Sequence, residues 1–230
     1  MLLHGFLPSL LEGAAITLAV ALSSLAIAAL LGLSGALAKL SRSRVARGVA
    51  ATYTTLIRGV PDLVLMLLIF YGGQVAVNTV APLLGHEDYI DIDPFLAGVL
   101  TIGFIFGAYL TEAFRGAFLA VPPGQREAGL AYGMSPRQVL WRITLPQMLR
   151  HALPGVSNNW LVLLKSTAIV SIIGLSDLMT RGQQAAGTTR EPFSFYLAVA
   201  LIYLVFTSLS ELAFGWARRH LAIGVKEGEL

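Results

Sequence analysis

Residues 121–146, VPPGQREAGLAYGMSPRQVLWRITLP, form the one long polar stretch between strongly apolar segments of this sequence. The Pro-Pro-Gly at residues 122–124 stops the helix before it, because proline disrupts a helix interior. A short helix is predicted over residues 125–132. Gly133 can then turn the chain, because glycine readily adopts a positive φ. The first half of the stretch therefore predicts a helix that ends in a tight turn.

The second half of the stretch predicts another helix, and its start signals are clear. Ser135 can cap the free N–H groups, Pro136 suits the first helical position, and Gln138 completes a capping box. Pro146 marks the next expected break. The whole stretch is thus predicted to be a helix–turn–helix on a membrane surface. It is either an amphipathic loop that rests on lipid headgroups or a docking element for a partner.

Composition places the chain in a membrane. Hydrophobic residues make up 56% and charged residues 13%, too few charges to cover a soluble protein of 230 residues. The mean hydropathy of +0.73 agrees. The net charge of +3 comes without a lysine-rich arm or interleaved aromatic and basic residues, so no nucleic-acid partner is expected. The absence of cysteine excludes disulfides and thiol nucleophiles.

The apolar segments predict an all-α integral membrane protein with five transmembrane helices in a single domain, residues 1–230. The expected spans are residues 13–38, 49–80, 94–120, 154–175 and 192–217. The third span carries Gly103 and Gly107, with Thr111 one turn further on. Small residues four apart allow helices to approach closely in lipid. We expect this packing to lie within the chain, with contact to a second subunit as the alternative.

The distribution of charge between loops predicts the orientation. Basic residues follow the first span, the third span and the fifth span, whereas the loop after the second span is acidic. The basic set is Lys39, Arg42, Arg44, Arg47, Arg126, Arg137, Arg142, Arg150, Arg218, Arg219 and Lys226, and the acidic set is Glu87, Asp88, Asp91 and Asp93. By the positive-inside rule the N-terminus is outside and the C-terminus inside. The 121–146 stretch is then cytoplasmic.

Six ionisable groups fall within the predicted spans, where each costs about 2.5–3.5 kcal/mol unless it has a partner or a watery path. They are Arg58, Asp62, Glu112, Arg115, Lys165 and Glu211. Glu112 and Arg115 are three apart and near the inner end of a span, which favours a structural pair. Asp62 follows a Gly-Val-Pro break, and broken helices near mid-membrane are where transporters bind polar solutes.

Two interpretations of Asp62 remain open. At about 1.5 Å per residue it lies about 20 Å from the inner end of the second span, and Lys165 lies about 17 Å along the fourth span, at a comparable depth. Asp62 can bind solute, or it can neutralise Arg58 or Lys165. Lys165 in turn can neutralise Asp62 or hold a substrate carboxylate. The candidate substrate-binding residues are therefore Asp62, Arg58, Lys165 and Glu112.

The letters of the 121–146 stretch resemble the EAA loop of bacterial ABC importer permeases, and we call residues 121–146 the EAA loop. The family pattern is Glu, two Ala, three residues, Gly, nine residues, Ile, one residue, Leu-Pro. The matching residues are Glu127, Ala128, Gly133, Ile143, Leu145 and Pro146. Gly129 stands where the second Ala is usual. The resemblance implies that these seven positions couple the chain to an ATPase.

Further stretches extend the resemblance over essentially the whole chain: TLIRGVPDLVLMLLIFYG, GAYLTEAFRGAF, PPGQREA and NNWLVLLKSTAIVSIIGL. They are similar to Q-type permeases of polar amino-acid ABC importers, of the histidine/lysine/arginine/ornithine and octopine/nopaline type. In that branch an acid follows the proline of the second span, as Asp62 follows Pro61 here.

The resemblance implies a type I ABC importer permease fold in the bacterial inner membrane. It also implies three kinds of partner: an ATP-binding subunit dimer, a second permease subunit (an M-type chain or a second copy) and a periplasmic solute-binding protein. The implied solute is a polar, cationic amino acid or an opine. ATP and Mg would be bound by the ATPase, with no cofactor in this chain.

Absent motifs narrow the alternatives. The sequence has no G-x-x-x-x-G-K-[ST] phosphate loop and no G-x-S-x-G nucleophile elbow. Its four histidines have no metal-ligand spacing, so no metal site is expected. An ion-coupled amino-acid carrier or channel that works without an ATPase is the main alternative. It suits the intramembrane charges but leaves the EAA loop unexplained. A membrane enzyme is a third possibility, but this sequence contains no group of residues with a catalytic pattern to support it.

Overall fold

The computed structural model describes residues 2–221, and within this range the chain is helical with no strand. Five segments of that range are long and apolar enough to cross a membrane: Leu7–Leu40, Asp62–Leu84, Pro94–Ala120, Pro136–Ile173 and Pro192–Leu221. The predicted all-α fold with five spans is confirmed, although most of the bounds differ. Lys226, one of the basic residues used to predict orientation, lies outside the described residues.

The helices follow one another with short connections. They are α1 (Leu7–Leu40), α2 (Arg44–Gly59), α3 (Asp62–Val80), α4 (Pro94–Ala120), α5 (Pro123–Ala131), α6 (Pro136–Val139), α7 (Leu145–Ser166), α8 (Leu178–Thr189) and α9 (Pro192–Leu221). Short 3-10 turns lie at Leu2–Gly5, Ala81–Leu84 and Thr167–Ile173. A π-helical turn, Leu140–Thr144, joins α6 to α7.

Helix α4 is the central helix of the bundle, with 67% of its apolar stretch buried. Its small residues let α1 approach closely. A Cβ on Gly103 would lie 2.7 Å from Ile27, and one on Gly107 would lie 2.8 Å from Leu31. Thr111 in turn fills the space that a Cβ on Gly35 of α1 would need. The small-residue face of α4 therefore packs within the chain, as expected.

The second predicted span, residues 49–80, begins too early. The expected break at the Gly-Val-Pro is present, and only the helix after it is long and apolar enough to cross a membrane. Helix α2 ends at Gly59, Val60 is extended, and α3 starts at Asp62. Pro61 explains the break, because it donates no N–H and biases the residue before it away from helix. Asp62 therefore lies in the first turn of a spanning helix and not in the middle of one.

The fourth span also starts earlier than predicted, and Pro146 does not break it. The helical path runs from Pro136 to Ser166 through the π-helical turn, where the N–H of Leu145 donates to Leu140 O. In this turn the backbone N–H groups donate to the carbonyl five residues back instead of four, and this local change accommodates Pro146. Pro154, the predicted start of the span, lies inside α7. A single helical rod thus connects the EAA loop with the membrane.

Helix α8 lies between the last two spans, in a segment for which no helix was predicted. Asp177 caps it, accepting the N–H of Thr180 at 2.9 Å. Arg181 ties the helix to the start of α1 through Glu12, at 2.7 Å. Helices α3 and α9 bury little of themselves, with 11% and 6% of their apolar stretches covered by the chain. Their open faces are available to lipid or to another subunit.

Candidate functional site

The first helix of the EAA loop ends in a turn at Gly133. The N–H of Gly133 donates to Leu130 O at 3.0 Å, and the N–H of Met134 donates to Gly129 O at 3.1 Å. This pair of bonds is a Schellman motif, which requires a left-handed residue after the helix. Gly133 supplies it, with a φ of +79°. The predicted turn at Gly133 is confirmed.

The second helix of the loop starts with the predicted capping box. The N–H of Gln138 donates to Ser135 Oγ at 3.3 Å, and the N–H of Ser135 donates to Gln138 Oε1 at 2.8 Å. Pro136 occupies the first turn. These contacts satisfy N–H groups that a helix start leaves unpaired, so the direction of the second helix is fixed locally.

Gly129 sets the distance between the two helices of the loop. It is buried, and a Cβ there would lie 2.7 Å from Ile143 Cδ1 and 3.0 Å from Val139 Cγ2. Ile143 is half-buried against it. The position that departs from the family pattern is therefore an internal contact of the loop and not part of its surface.

The other residues of the pattern lie closer to solvent. Glu127, Ala128, Gly133 and Pro146 are exposed, and Leu145 is half-buried. Glu127 forms no hydrogen bond or ion pair with any residue of the described part of the chain. The pattern thus divides into an exposed set that can meet a partner and an internal set that holds the loop in shape.

Two exposed aromatic residues of the loop were missed from sequence. Tyr132 is 89% exposed and Trp141 is 69% exposed. Large aromatic side chains that stay exposed on a polar loop are typical of protein interfaces. The signal was present in the sequence, because both residues lie within a stretch already assigned to the surface. A groove of about 330 Å³ lies on the same loop, lined in part by Arg126, Leu130 and Leu140.

Glu112 is held by two cations. It accepts a hydrogen bond from Lys39 Nζ and another from Arg115 Nε, the latter at 2.9 Å. Lys39 also donates to Thr54 Oγ1 at 2.6 Å. This cluster joins α1, α2 and α4, and it gives Glu112 a structural role. The sequence indicated Lys39 only as one of the basic residues in a loop, because its partner Glu112 is 73 residues away in the chain.

Arg58 and Asp62 are brought together by a residue that the sequence did not indicate, Tyr109 of α4. The hydroxyl of Tyr109 donates to Asp62 Oδ1 at 3.3 Å, and the guanidinium of Arg58 lies 5.6 Å from the centre of the Tyr109 ring. No salt bridge joins Arg58 to Asp62 within residues 2–221. A hydrogen bond and a cation–π contact on one ring therefore take the place of the ion pair with Arg58, which was one of the open interpretations of Asp62.

Lys165 lies apart from this group. It is exposed on α7 and forms no ion pair with Asp62. The structure therefore does not support neutralisation of Asp62 by Lys165 within the described chain. The described residues also hold no cluster of three or more His, Asp or Glu that could bind a metal.

Comparison with known proteins assigns the class. Residues 28–223 match the family described as the inner membrane component of binding-protein-dependent transport systems. This match covers most of the chain, and the chain belongs to that family. It is a multi-pass transport component of the inner membrane, with the permease fold of ABC transporters.

Particular relatives are similar over all or most of their length. HisQ of Salmonella typhimurium, a histidine/lysine/arginine/ornithine transport system permease protein, is 54% identical over 100% of both chains. OccQ of Rhizobium radiobacter, an octopine transport system permease protein, is 43% identical over 95% of this chain and 92% of its own. The predicted resemblance to this type of permease is confirmed.

Solved structures share the fold. A crystal structure of an amino acid ABC transporter with histidines has a TM-score of 0.79 and 32% identity, and the match covers 94% of this chain and 95% of that one. A chain of the MetNI methionine ABC transporter in an inward-facing conformation has a TM-score of 0.73. Its 19% identity supports the fold alone.

Proposed function

We propose that this chain is a permease subunit of an ATP-driven importer that carries cationic amino acids or opines across the bacterial inner membrane. The observation that carries the proposal is an EAA loop with complete cap geometry in a chain similar to HisQ along its whole length. Residues 1–230 act as one permease domain. A second permease, an ATPase dimer that binds ATP and Mg, and a periplasmic solute-binding protein complete the importer.

The proposed orientation has the N-terminus in the periplasm and the C-terminus in the cytoplasm. The basic residues beside the EAA loop support it by the positive-inside rule. This orientation turns the exposed Glu127, Ala128, Tyr132 and Trp141 toward the cytoplasm, where the ATPase would lie.

In the proposed coupling step the EAA loop moves as a rigid unit with the ATPase dimer. Gly129 and Ile143 hold its two helices together, and Gly133 fixes the turn between them. Leu145 and Pro146 lie where the loop passes into α7 without a helical break. A shift of the docked loop is therefore transmitted directly to a spanning helix, which favours a change between inward-open and outward-open arrangements.

The proposed solute contacts are Asp62, Arg58 and Lys165. Asp62 is half-buried, and beyond the Tyr109 hydroxyl it has no partner among the described residues, so its charge is available to a cationic side chain. Lys165 suits a substrate carboxylate. Glu112 was a further candidate, but Lys39 and Arg115 already occupy its oxygens.

Co-purification tests the proposed function. The chain would be tagged, co-expressed with a candidate ATPase and second permease, purified in nanodiscs and mixed with a solute-loaded binding protein. We expect a stable complex whose ATP hydrolysis rises when the loaded binding protein is added. A chain that purifies without an ATPase, from cells that contain one encoded beside it, would contradict the proposal.

A further inference from the structure

A polar stripe runs along one face of α7. His151, Asn158 and Lys165 are seven residues apart, almost two helical turns, so their side chains lie on the same face. All three are exposed, as is Val162 between the last two. The opposite face of α7 is buried. At about 1.5 Å per residue the stripe is about 21 Å long, most of the thickness of a bilayer core.

The residues of the stripe lack partners. None of His151, Asn158 and Lys165 forms a hydrogen bond or ion pair in the part of the chain that the structure describes. An unpaired amide or ammonium in hydrocarbon is costly, and such groups face a bundle interior or a watery cavity. The stripe is therefore unsuited to contact with lipid tails.

Helix α1 shows what a lipid-compatible face of this chain looks like. The large hydrophobic side chains exposed along it are leucines, among them Leu11, Leu22, Leu30 and Leu37. The exposed charge near its start, Glu12, is paired with Arg181. A lipid headgroup could satisfy one end of the α7 stripe, but Asn158 lies about 10 Å from either end. Lipid tails can therefore cover the leucine face of α1, whereas they are unsuited to the polar stripe of α7.

Glu211 of α9 adds a carboxylate beside the middle of the stripe. A cavity of about 180 Å³ between α7 and α9 is lined by Ser157, Asn158 and Leu161 on one side and by Glu211, Phe214 and Arg218 on the other. Glu211 is exposed and forms no ion pair among the described residues. A carboxylate next to an amide oxygen can accept hydrogen bonds from an ammonium or a guanidinium.

We infer that this face of α7, from His151 to Lys165, lines the translocation pathway together with Glu211. Lys165 attracts the carboxylate of the amino acid, and Glu211 with Asn158 gives its cationic end a further contact along the pathway, in addition to the one proposed for Asp62. The inference rests on the proposed function and adds Asn158 and Glu211 to the residues that meet solute. The second permease closes the pathway over the stripe and leaves water between them.

The chain contains no cysteine, so single cysteines can report on water access. Asn158→Cys and Val162→Cys place a thiol on the stripe, and Leu22→Cys places one on the exposed face of α1 as the matched control. Each assembled transporter in proteoliposomes is treated with a charged methanethiosulfonate reagent. We expect both stripe cysteines to react at least about tenfold faster than Cys at position 22, because only a hydrated thiol ionises to the reactive thiolate. Arginine should slow their reaction.

If the cysteines at positions 158 and 162 both react no faster than the control at position 22, the inference is overturned. That result would hold whether lipid or a dry contact with another subunit covers the face. ATP-driven uptake by the cysteine-free parent is measured in the same vesicles. A parent that fails to transport would refute the proposed function itself, whereas a transporting parent with unreactive stripe cysteines would refute only the pathway.

Glu211→Gln should also raise the KM for arginine about tenfold, through loss of a charge-assisted hydrogen bond. An unchanged KM would remove Glu211 from the pathway.

Discussion

Gly129 and Ile143 touch across the two helices of the EAA loop, so closely that a Cβ on Gly129 would lie 2.7 Å from Ile143 Cδ1. The nearest atom is the far end of a flexible side chain, which can move, and the next, Val139 Cγ2 at 3.0 Å, needs to shift by only a few tenths of an ångström. We therefore expect Gly129→Ala to keep ATP-driven uptake, since alanine also favours helix by about 1 kcal/mol over glycine.

Gly129→Val is the matched disruptive change. Its Cβ would meet both Ile143 and Val139, as that of alanine does, and its two extra methyl groups need further space; overpacking of this kind costs about 1–3 kcal/mol. We expect the chain to insert normally, while solute-stimulated ATPase activity and uptake fall several-fold. Equal activity of the alanine and valine variants would show that the distance between these helices does not matter for coupling.

Gly133 is required for its backbone conformation and not for its size. A Cβ there would meet no atom within 4 Å, yet φ is +79°. Gly133→Val should therefore impair transport, because left-handed backbone costs a residue with a side chain about 1–2 kcal/mol and a β-branched one more. Gly133→Asn should retain most activity, since asparagine tolerates this conformation. Reconstituted uptake compares the two. Full activity of the valine variant would contradict the assigned role.

The orientation predicts which loops an impermeant thiol reagent can reach. In intact cells whose outer membrane has been made permeable, Asp88→Cys should be labelled from the periplasm. Arg137→Cys should be labelled only after the inner membrane is opened. The reason is the excess of Lys and Arg in the loops assigned to the cytoplasm. The reverse labelling pattern would invert the topology and place the EAA loop away from any cytoplasmic ATPase.

Asp62 is expected to select for positive charge. Asp62→Asn keeps the size of the side chain and leaves an oxygen that can accept from Tyr109, but it removes the charge. Uptake of arginine and lysine should fall about tenfold or more, the effect of one charge-assisted hydrogen bond, while uptake of neutral histidine should fall less. The measurement is uptake of each solute by a well-assembled complex. Equal losses for charged and neutral solutes would exclude Asp62 from the solute site.

Local sequence signals predicted the EAA loop well, because capping boxes and left-handed turns depend on residues three or four apart. The capping box at Ser135 and the turn at Gly133 are both present. The five spans could likewise be predicted, because hydropathy is also a property of neighbouring residues in the chain. Proline was harder to interpret. Pro61 ends a helix, whereas Pro146 is accommodated by a π-helical turn, and the sequence around them does not distinguish the two outcomes.

Partners that are distant in the chain could not be predicted. Lys39 pairs with Glu112 across 73 residues, and Tyr109 reaches Asp62 across 47. These contacts depend on how α1, α3 and α4 pack, which periodicity alone does not specify. Asn158, which we infer to line the pathway, was not a candidate from sequence, because a single amide in an apolar span gives little signal until the uncovered face of the helix is known.

ATP-driven uptake that is independent of ion gradients tests the central claim most directly. The complete importer would be reconstituted in proteoliposomes with ATP inside and loaded binding protein outside. Radiolabelled arginine uptake would then be measured with and without ionophores that collapse proton and sodium gradients. The account predicts uptake that requires ATP and binding protein and is unchanged by the ionophores. Uptake that proceeds without ATP and stops when an ion gradient is collapsed would contradict it and favour an ion-coupled carrier.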